Sequence, residues 1–184
     1  RRKSNWIKLF KQRGYDLTTI EKFELGYSPE KSTAFSEAAL SAGHKQETLE
    51  KSGLIKANEK GNYDFFRSRV IFPIHNLTGR VIGFGGRTLR SDKKTAKYFN
   101  SPESEIYKKS HVLYGLYQAK NAVIKEDNCY LVEGYTDVIS LHQAGIENVV
   151  SSSGTSLTEG QIRIIKRFTK NITILYDGDA AGIK

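Results

Sequence analysis

The sequence predicts an α+β amino-terminal region followed by an α/β region with a Rossmann-like parallel sheet. Three observations lead to this fold class. Residues 1–60 carry short apolar patterns with the helical period, and residues 54–84 change to short alternating strands separated by turns. From Cys129 onward strands and helices alternate, which favours parallel strands joined by right-handed crossovers.

Composition narrows the class of protein. The chain has 184 residues, with 29 Lys and Arg against 20 Asp and Glu, a net charge of +9. The single cysteine, Cys129, excludes an intramolecular disulfide and a zinc site built from several cysteines. No apolar run approaches the roughly 18 residues of a membrane span, and no signal-peptide pattern opens the chain. We therefore expect a soluble, cytoplasmic protein with no membrane partner.

The positive charge is concentrated in the middle of the chain. Residues 1–59 carry 11 basic and 8 acidic side chains, residues 60–120 carry 12 and 4, and residues 121–184 carry 6 and 8. A basic segment followed by an acidic one suits a protein that holds a polyanion on one part and metal ions on another.

The elements of the amino-terminal region follow in order. Apolar residues at helical spacing predict four short helices, over 6–10, 17–25, 35–40 and 46–52, each closed near a glycine. Strands are predicted over 54–55, 63–66, 70–74 and 81–84 in a small antiparallel sheet with hairpins. Residues 91–111 are polar and are expected to form a loop, and residues 112–120 a short helix.

The carboxyl-terminal region reads as βαβαβ. Strands are predicted over 129–132, 148–151 and 172–176, with helices over 136–144 and 158–168 between them. Parallel strands place their carboxyl ends at one edge of the sheet, where sites form in such folds. Glu133, Ser151 to Thr155, and Asp177-Gly178-Asp179 all follow strands at that edge.

Clustered carboxylates at this edge predict a metal site. Several carboxylates close together resist ionisation unless a cation compensates their charge, and oxygen ligands suit Mg²⁺ or Mn²⁺. Two such ions can stabilise the attacking and leaving oxygens of a displacement at phosphorus. The same residues also fit a simpler interpretation, with Glu133 capping a helix and Asp177-Gly178 forming a turn.

The basic segment predicts phosphate contacts. Arg67 and Arg69 stand two apart on a predicted strand and are expected to project from one face, where guanidinium groups suit phosphates. A polar loop that could fold towards the metal edge carries further candidates, with Tyr98 available to stack on a base: Lys97, Tyr98, Asn100, Lys108 and Lys109. The alternative is that these are solvated charges on a hairpin.

Two motifs in the acidic region resemble a known domain. The segments 131–138, Leu-Val-Glu-Gly-Tyr-Thr-Asp-Val, and 175–182, Leu-Tyr-Asp-Gly-Asp-Ala-Ala-Gly, resemble the two motifs of a Toprim domain. That domain is shared by topoisomerases, primases and certain nucleases. The form of the motifs resembles the version in bacterial DnaG-type DNA primases.

The basic segment carries the same resemblance. Residues 66–74, 79–87, 97–103 with Lys109, and 113–116 resemble stretches of the primases, and Arg13-Gly14 fits their helical start. The resemblance implies an α+β primase core over 1–126 and a Toprim domain over 127–184. We expect the chain to stop short of a complete Toprim domain, of a zinc-binding domain in front and of a helicase-binding domain behind, so the activity of the chain alone stays open.

The resemblance also implies a reaction and residue roles. The reaction would be template-directed synthesis of short RNA primers on single-stranded DNA from ribonucleoside triphosphates in the bacterial replisome. Glu133, Asp177 and Asp179 would bind Mg²⁺ or Mn²⁺, and Asp137 would be an auxiliary acid. Nucleotide or template contacts are implied for eight residues: Arg13, Arg67, Arg69, Arg87, Lys97, Tyr98, Asn100 and Lys109.

Two other functions remain open at this point. Another Toprim enzyme, a nuclease or topoisomerase, would cleave or relax DNA without ribonucleotides. A non-catalytic module that binds single-stranded DNA would show steep salt dependence but would be indifferent to Mg²⁺.

Overall fold

The described residues pack as two compact units. The computed structural model describes residues 7, 10, 11, 14–59, 61–89, 96–154 and 156–177. The first unit draws on Arg1–Pro73 and Ile82–Lys108, and the second on Ile74–Val81 and Lys109–Lys184. Each unit is a set of residues that contact one another more than they contact the rest of the chain. The domain boundary between residues 126 and 127 is a separate prediction from the sequence.

Three short helices open the first unit. They are α1 (Leu17–Lys22), α2 (Ala34–Ser41) and α3 (Gln46–Lys51), which confirms three of the four predicted helices. The other, over 6–10, lies largely outside the described residues. Asp16 begins α1 because its carboxylate accepts a hydrogen bond from the Thr19 amide at 2.7 Å. Across the described ranges, no helix combines the length and apolar character that a membrane crossing requires.

A four-stranded sheet and a hairpin complete this unit. The sheet has the order β1 (Gly26–Ser28), β4 (Arg69–His75), β5 (Val81–Thr88), β6 (Tyr98–Asn100), and the hairpin pairs β2 (Ile55–Asn58) with β3 (Gly61–Asp64). The predicted hairpin strands and the strands of β4 and β5 are confirmed. Buried aromatic side chains pack beneath the sheet, where the Phe10 ring meets the Phe72 ring edge-on at 6.3 Å.

Two strands of this sheet were missed by the sequence prediction. Gly26–Ser28 pairs antiparallel with β4, although a closing turn is expected there, and Tyr98–Asn100 pairs antiparallel with β5 inside the predicted loop. Each strand has three residues, too few to show an alternating pattern. Pairing with a neighbour distant in sequence decides such strands, and local composition does not.

The second unit is the predicted parallel α/β sheet. After a 3₁₀ turn at Lys109–His111 come α4 (Leu116–Glu126), β7 (Cys129–Val132), α5 (Tyr135–Gln143), β8 (Val149–Ser151), α6 (Glu159–Ile165) and β9 (Ile172–Ile174). The strand order is β8-β7-β9, and both pairs are parallel. The predicted βαβαβ order is therefore confirmed, although α4 begins at 116 and α6 ends at 165.

The core of the second unit forms around the central strand β7, with α4 packed against α5. Leu116, Val123, Leu131 and Ile165 are all buried around β7. Gly115 enters α4 with φ +83°, and a Cβ atom there would stand 2.6 Å from a methyl carbon of Val138. The start of α4 is thus packed directly against α5, the helix that begins at the carboxyl end of β7.

Candidate functional site

Glu133 stands at the carboxyl end of the central strand. It follows Val132, the last residue of β7, and is half-buried. The hydroxyl of Ser151, the last residue of β8, donates a 2.7 Å hydrogen bond to the Glu133 carbonyl oxygen. The ends of the two neighbouring strands are therefore tied together at this residue, as the parallel arrangement predicts.

The chain that follows the third strand reaches the same edge. The backbone amide of Asp177 donates a hydrogen bond to Oε1 of Glu133 at 3.0 Å, and Leu175 donates through its amide to the Leu131 carbonyl at 2.8 Å. The Glu133 carboxylate and the backbone of Asp177, two residues of the predicted site, are therefore in direct contact. The Glu133 side chain also holds the segment after β9 in place.

Asp137 joins this group from the first turn of α5. Its Oδ2 atom accepts a 3.0 Å hydrogen bond from the Gly134 amide. Desolvation by burial raises the pKa of the Asp137 carboxyl, the hydrogen bond from Gly134 opposes that rise, and the charge of Asp177 adds to it. The influence of Asp177 on this pKa places the Asp137 and Asp177 carboxylates within electrostatic range of each other.

The fourth predicted carboxylate, Asp179, lies outside the described residues, as does Arg13 among the basic candidates. Among the residues that are described, no three carboxylate, histidine or cysteine side chains form a group able to hold a metal ion. The oxygen-rich donors present, Glu133 and Asp177, nevertheless fit a hard divalent cation. A cation there would also relieve the repulsion between Asp137 and Asp177.

Lys109 belongs to the same unit as the carboxylates. It begins the 3₁₀ turn Lys109–His111. The buried Gln161 side chain donates through Nε2 to the carbonyl oxygens of Lys109 and Val112, at 3.3 and 2.8 Å. These bonds fix the backbone of the turn to α6.

Arg69 is a buried cation within the first unit. Its Nη2 atom donates to the Ala96 carbonyl at 2.9 Å, and Nη1 donates to the carbonyls of Gly86 and Lys97 at 3.3 and 3.4 Å. Its guanidinium carbon lies 3.7 Å from the centroid of the Phe99 ring. The side chain is 4% exposed, and burial lowers its pKa from the usual value. Arg69 therefore links β4, β5 and the segment that leads into β6.

Arg67 differs from Arg69 in both position and exposure. Arg67 precedes β4, and its side chain is exposed. Ser68, which lies between Arg67 and Arg69, has φ +51°. The prediction that the two arginines project from one face of a strand is therefore wrong. The left-handed residue Ser68 breaks the alternation on which that prediction depended.

The other predicted basic and aromatic candidates meet on the β5–β6 pair. Arg87 pairs with Tyr98 across the strands, and its guanidinium carbon lies 5.5 Å from the Tyr98 ring centroid. Asn100 pairs with Gly85 two positions along, and Lys97 is exposed just before β6. Tyr98 and Asn100, which were predicted to lie in a loop, are therefore part of strand β6, where backbone hydrogen bonds to β5 fix their positions.

A cavity of about 410 Å³ opens beside these residues. Arg67 and Arg69 line it together with Glu30, Phe65, Ser68, Thr88 and Phe99. The ring of Phe99, which lines the cavity, stacks on the ring of Phe66 with 5.3 Å between their centroids. Sequence reasoning missed Phe65, Phe99 and Tyr63. The one available signal was the spacing of Tyr63 and Phe65, two residues apart on a predicted strand.

Comparisons with known proteins agree with this architecture. Residues 1–120 match the family model described as the DNA primase catalytic core, N-terminal domain, and residues 130–184 match a Toprim-like model. A DNA primase of Halalkalibacterium halodurans is 45% identical over 173 residues, 93% of this chain. The chain spans 28% of the length of that relative.

Solved structures give the same result. The zinc-binding and RNA polymerase domains of the Aquifex aeolicus primase superpose with a TM-score of 0.90 at 41% identity, covering 99% of this chain and 45% of that one. A DnaG primase catalytic domain bound to single-stranded DNA gives a TM-score of 0.86 at 40% identity, covering 97% and 56%.

An α+β unit followed by a Toprim-like parallel sheet is the architecture that defines the catalytic core of primases. The chain belongs to the DNA primase catalytic core family. Membership of this family implies, in general terms, the use of a divalent metal ion, and it confirms the predicted α+β and Toprim fold classes.

Proposed function

We propose that the chain is the catalytic core of a bacterial DNA primase, which makes short RNA primers on a single-stranded DNA template. The observation that carries this proposal is the 3.0 Å hydrogen bond from the Asp177 amide to the Glu133 carboxylate. It brings the two most specific motifs of the sequence to one edge of the parallel sheet. A basic unit supplies cations for a polyanionic template and for triphosphates.

The proposed reaction forms one phosphodiester bond for each nucleotide added. The 3′-hydroxyl of the growing RNA attacks the α-phosphorus of the next ribonucleoside triphosphate, and the bond from that phosphorus to the bridging oxygen breaks to release pyrophosphate. The proton of the hydroxyl leaves with the aid of a nearby base. Bound Mg²⁺ or Mn²⁺ would supply Lewis-acid stabilisation of the charge on the phosphates.

The carboxylates have distinct proposed roles. Asp177, Asp179 and Glu133 would hold the metal, since carboxylate oxygens are its preferred ligands. Glu133 is also the proposed residue that orients or deprotonates the 3′-hydroxyl. Asp137, whose pKa is raised, would act as an auxiliary acid beside the site.

The basic residues fall into two proposed roles. Direct contact with phosphates or bases is proposed for Arg13, which lies outside the described residues, for the exposed Arg67, Lys97 and Tyr98, and for the half-buried Arg87, Asn100 and Lys109. Arg69 lines the cavity of about 410 Å³, but it donates hydrogen bonds to the Ala96 and Lys97 carbonyls and lies over the Phe99 ring. Its proposed contribution therefore includes positioning Lys97 to contact a phosphate. A relative of this chain binds single-stranded DNA, which supports a template partner here.

The whole protein is proposed to act in the cytoplasm at the bacterial replisome. The domain division at residues 126 and 127 remains part of this proposal. A relative contains a zinc-binding domain, and we infer that zinc and the replicative helicase would be bound by such further domains rather than by residues 1–184.

The decisive experiment measures RNA synthesis by the purified protein with a single-stranded template, ribonucleoside triphosphates and Mg²⁺ or Mn²⁺. Short RNA products that disappear in Glu133→Gln and Asp177→Asn, while template binding persists, support the proposal. DNA cleavage or relaxation without ribonucleotides would instead identify a nuclease or topoisomerase. Template binding that depends steeply on salt but ignores Mg²⁺ and both substitutions would identify a non-catalytic binding module.

A further inference from the structure

The β2–β3 hairpin carries a second polar cavity that the proposed catalytic roles do not use. Its volume is about 430 Å³, and it lies within the first unit between the hairpin and the start of α2. The side chains that matter here are Asn58, Asn62, Tyr63 and Arg67. A concave site of this size, with one aromatic ring, two amides and one cation, suits a nucleotide better than an apolar ligand.

Tyr63 and Arg67 face each other in this cavity. The guanidinium carbon of Arg67 lies 5.8 Å from the centroid of the Tyr63 ring. Arg67 is exposed and Tyr63 is half-buried, so the pair borders open solvent. An aromatic ring beside an arginine is the combination that stacks an unpaired base and contacts its phosphate.

Strand geometry places Lys56, Asn58 and Tyr63 on one face of the hairpin. Tyr63 pairs with Lys56, and Asn58 lies two residues from Lys56 on the same strand face. The ammonium of Lys56 lies 5.0 Å from the ring centroid of Phe65, which continues the face of Tyr63. Each of the two rings therefore has a cation beside it, Phe65 with Lys56 and Tyr63 with Arg67.

The buried hairpin carboxylate, Asp64, does not oppose an anion in the cavity. Asp64 is on the other strand face and is 2% exposed. It accepts hydrogen bonds from the amides of Phe35 and Ser36, at 2.7 and 2.9 Å, in the first turn of α2. Its charge is thus compensated by the helix, and no acidic residue lines the cavity among the described residues.

Arg67 also lines the neighbouring cavity of about 410 Å³, beside Arg69 and Phe99. One exposed cation is therefore shared by two neighbouring cavities, each with an aromatic ring in its lining, Tyr63 in one and Phe65 or Phe99 in the other. This is the arrangement expected for consecutive nucleotides of one strand, whose linking phosphate would lie at the shared cation.

We propose that the hairpin cavity is a further subsite for an unpaired nucleotide of the single-stranded template, with its base stacked on Tyr63 and its phosphate on Arg67. This inference rests on the proposed function. Asn58, which lines the cavity on the same strand face as Tyr63, stands beside the edge of such a base. The hairpin then extends the template path away from the β5–β6 pair.

The first test measures binding of a fluorescent oligodeoxythymidylate to the purified protein. Tyr63→Leu removes the ring and no charge, so it is expected to weaken binding roughly tenfold without changing the salt dependence. Tyr63→Phe keeps the ring and is expected to restore most of the affinity. Arg67→Gln is expected to weaken binding and to reduce the slope of log K against log salt by about 0.7, as one lost phosphate contact requires.

A matched control comes from the other unit. Tyr117 is an exposed tyrosine beside Lys120, whose ammonium lies 4.8 Å from its ring centroid, so Tyr117→Leu removes a comparable ring from a comparable cation. The affinity of the Tyr117→Leu variant for the oligonucleotide should stay at the wild-type value. Equal binding by Tyr63→Leu and Tyr117→Leu would overturn the proposal.

The second measurement is photo-cross-linking, which uses the wild-type protein and needs no variant. Irradiation of the wild-type complex with an oligonucleotide containing 5-iododeoxyuridine should cross-link a thymine-like base to Tyr63, identified by mass spectrometry. Cross-links confined to residues outside the hairpin would contradict the subsite. Weaker binding of free ATP by Tyr63→Leu, with unchanged binding of the oligonucleotide, would overturn the assignment to a strand.

The two failures are distinguishable. If the wild-type protein binds no single-stranded DNA, the proposed function fails together with the subsite. If it binds DNA and makes RNA but Tyr63→Leu behaves as wild type, only the hairpin subsite fails.

Discussion

The backbone amide of Asp177 donates a hydrogen bond to the side chain of Glu133 at 3.0 Å. The carboxylate of Glu133 thereby fixes the backbone of Asp177, the next residue of the proposed metal site. The Glu133 side chain has a structural role as well as a proposed chemical one, and substitutions that separate the two roles are especially informative.

Glu133→Gln separates them because glutamine keeps an oxygen that can accept the Asp177 amide while it loses the charge. We expect the variant to retain the wild-type melting temperature and template affinity, and to lose primer synthesis by at least about a hundredfold. Glu133→Ala should lose activity to the same degree and stability as well, because the Asp177 amide loses its acceptor. Primer synthesis by Glu133→Gln near the wild-type rate would remove Glu133 from the site.

Asp137→Asn tests the crowding of carboxylates through the pH dependence of stability. Burial, and the charge of Asp177 after it, raise the pKa of Asp137 in the folded protein above its usual value of 3.8. The folded state then binds more protons than the unfolded state between these two pKa values, so ionised Asp137 destabilises the fold at higher pH. Asparagine keeps an acceptor for the Gly134 amide and removes that charge.

We therefore expect Asp137→Asn to melt at a higher temperature than wild type above the raised pKa. The advantage should shrink as the pH falls through that pKa and be absent below 3.8, where both states of wild type are protonated. Thermal melts from pH 3 to pH 8 measure the difference. A difference that grew towards low pH would contradict the direction of the shift.

Arg69→Lys tests the internal role of the buried guanidinium. Lysine cannot reach the three carbonyls in the same planar fork, so at least one of the Ala96, Gly86 and Lys97 carbonyls loses its donor. We expect a loss of about 1–3 kcal/mol in the free energy of unfolding, measured by urea titration. Arg67→Lys, at an exposed position, should change it by no more than about 0.5 kcal/mol.

Gly115→Ala tests the packing between α4 and α5. A methyl group there would meet a Val138 methyl at 2.6 Å in addition to the strain of φ +83°. Gly145 has a similar φ of +90° but has open space around it, so Gly145→Ala reports the backbone strain alone. We expect a loss of about 1 kcal/mol in the free energy of unfolding at Gly145 and of about 2–4 kcal/mol at Gly115.

The double variant Gly115→Ala with Val138→Ala then checks the cause. Shortening Val138 removes the atom that an alanine at position 115 would strike. The two substitutions should therefore couple favourably, and the double variant should be more stable than the sum of the single losses predicts. Strict additivity would mean that the close contact is not what limits residue 115.

Most of the fold, and the placement of Glu133 and Asp177 at one edge of the sheet, could be predicted from the sequence. Long alternations of strand and helix after Cys129 set the parallel order, and that order places Glu133 and Asp177 at one edge by geometry alone. The basic half was less predictable. Whether Arg69 is buried and Arg67 exposed depends on the left-handed turn at Ser68, which no local pattern reveals.

Short strands were missed for a related reason. Tyr98–Asn100 becomes a strand because β5 offers it hydrogen bonds, although its own three residues carry no pattern. The cavity at Tyr63 likewise arises from a hairpin and a helix start brought together by the Asp64 cap. Sequence spacing alone does not record such tertiary contacts.

The order β8-β7-β9 has a consequence for synthesis and folding. The central strand β7 leaves the ribosome before either of its neighbours, so both of its edges are unpaired until residues 149–151 and then 172–174 emerge. A nascent chain that pauses after β7 presents a bare apolar strand to other chains. A delay between the emergence of β7 and that of residues 172–174 would therefore leave this strand open to pairing with another chain.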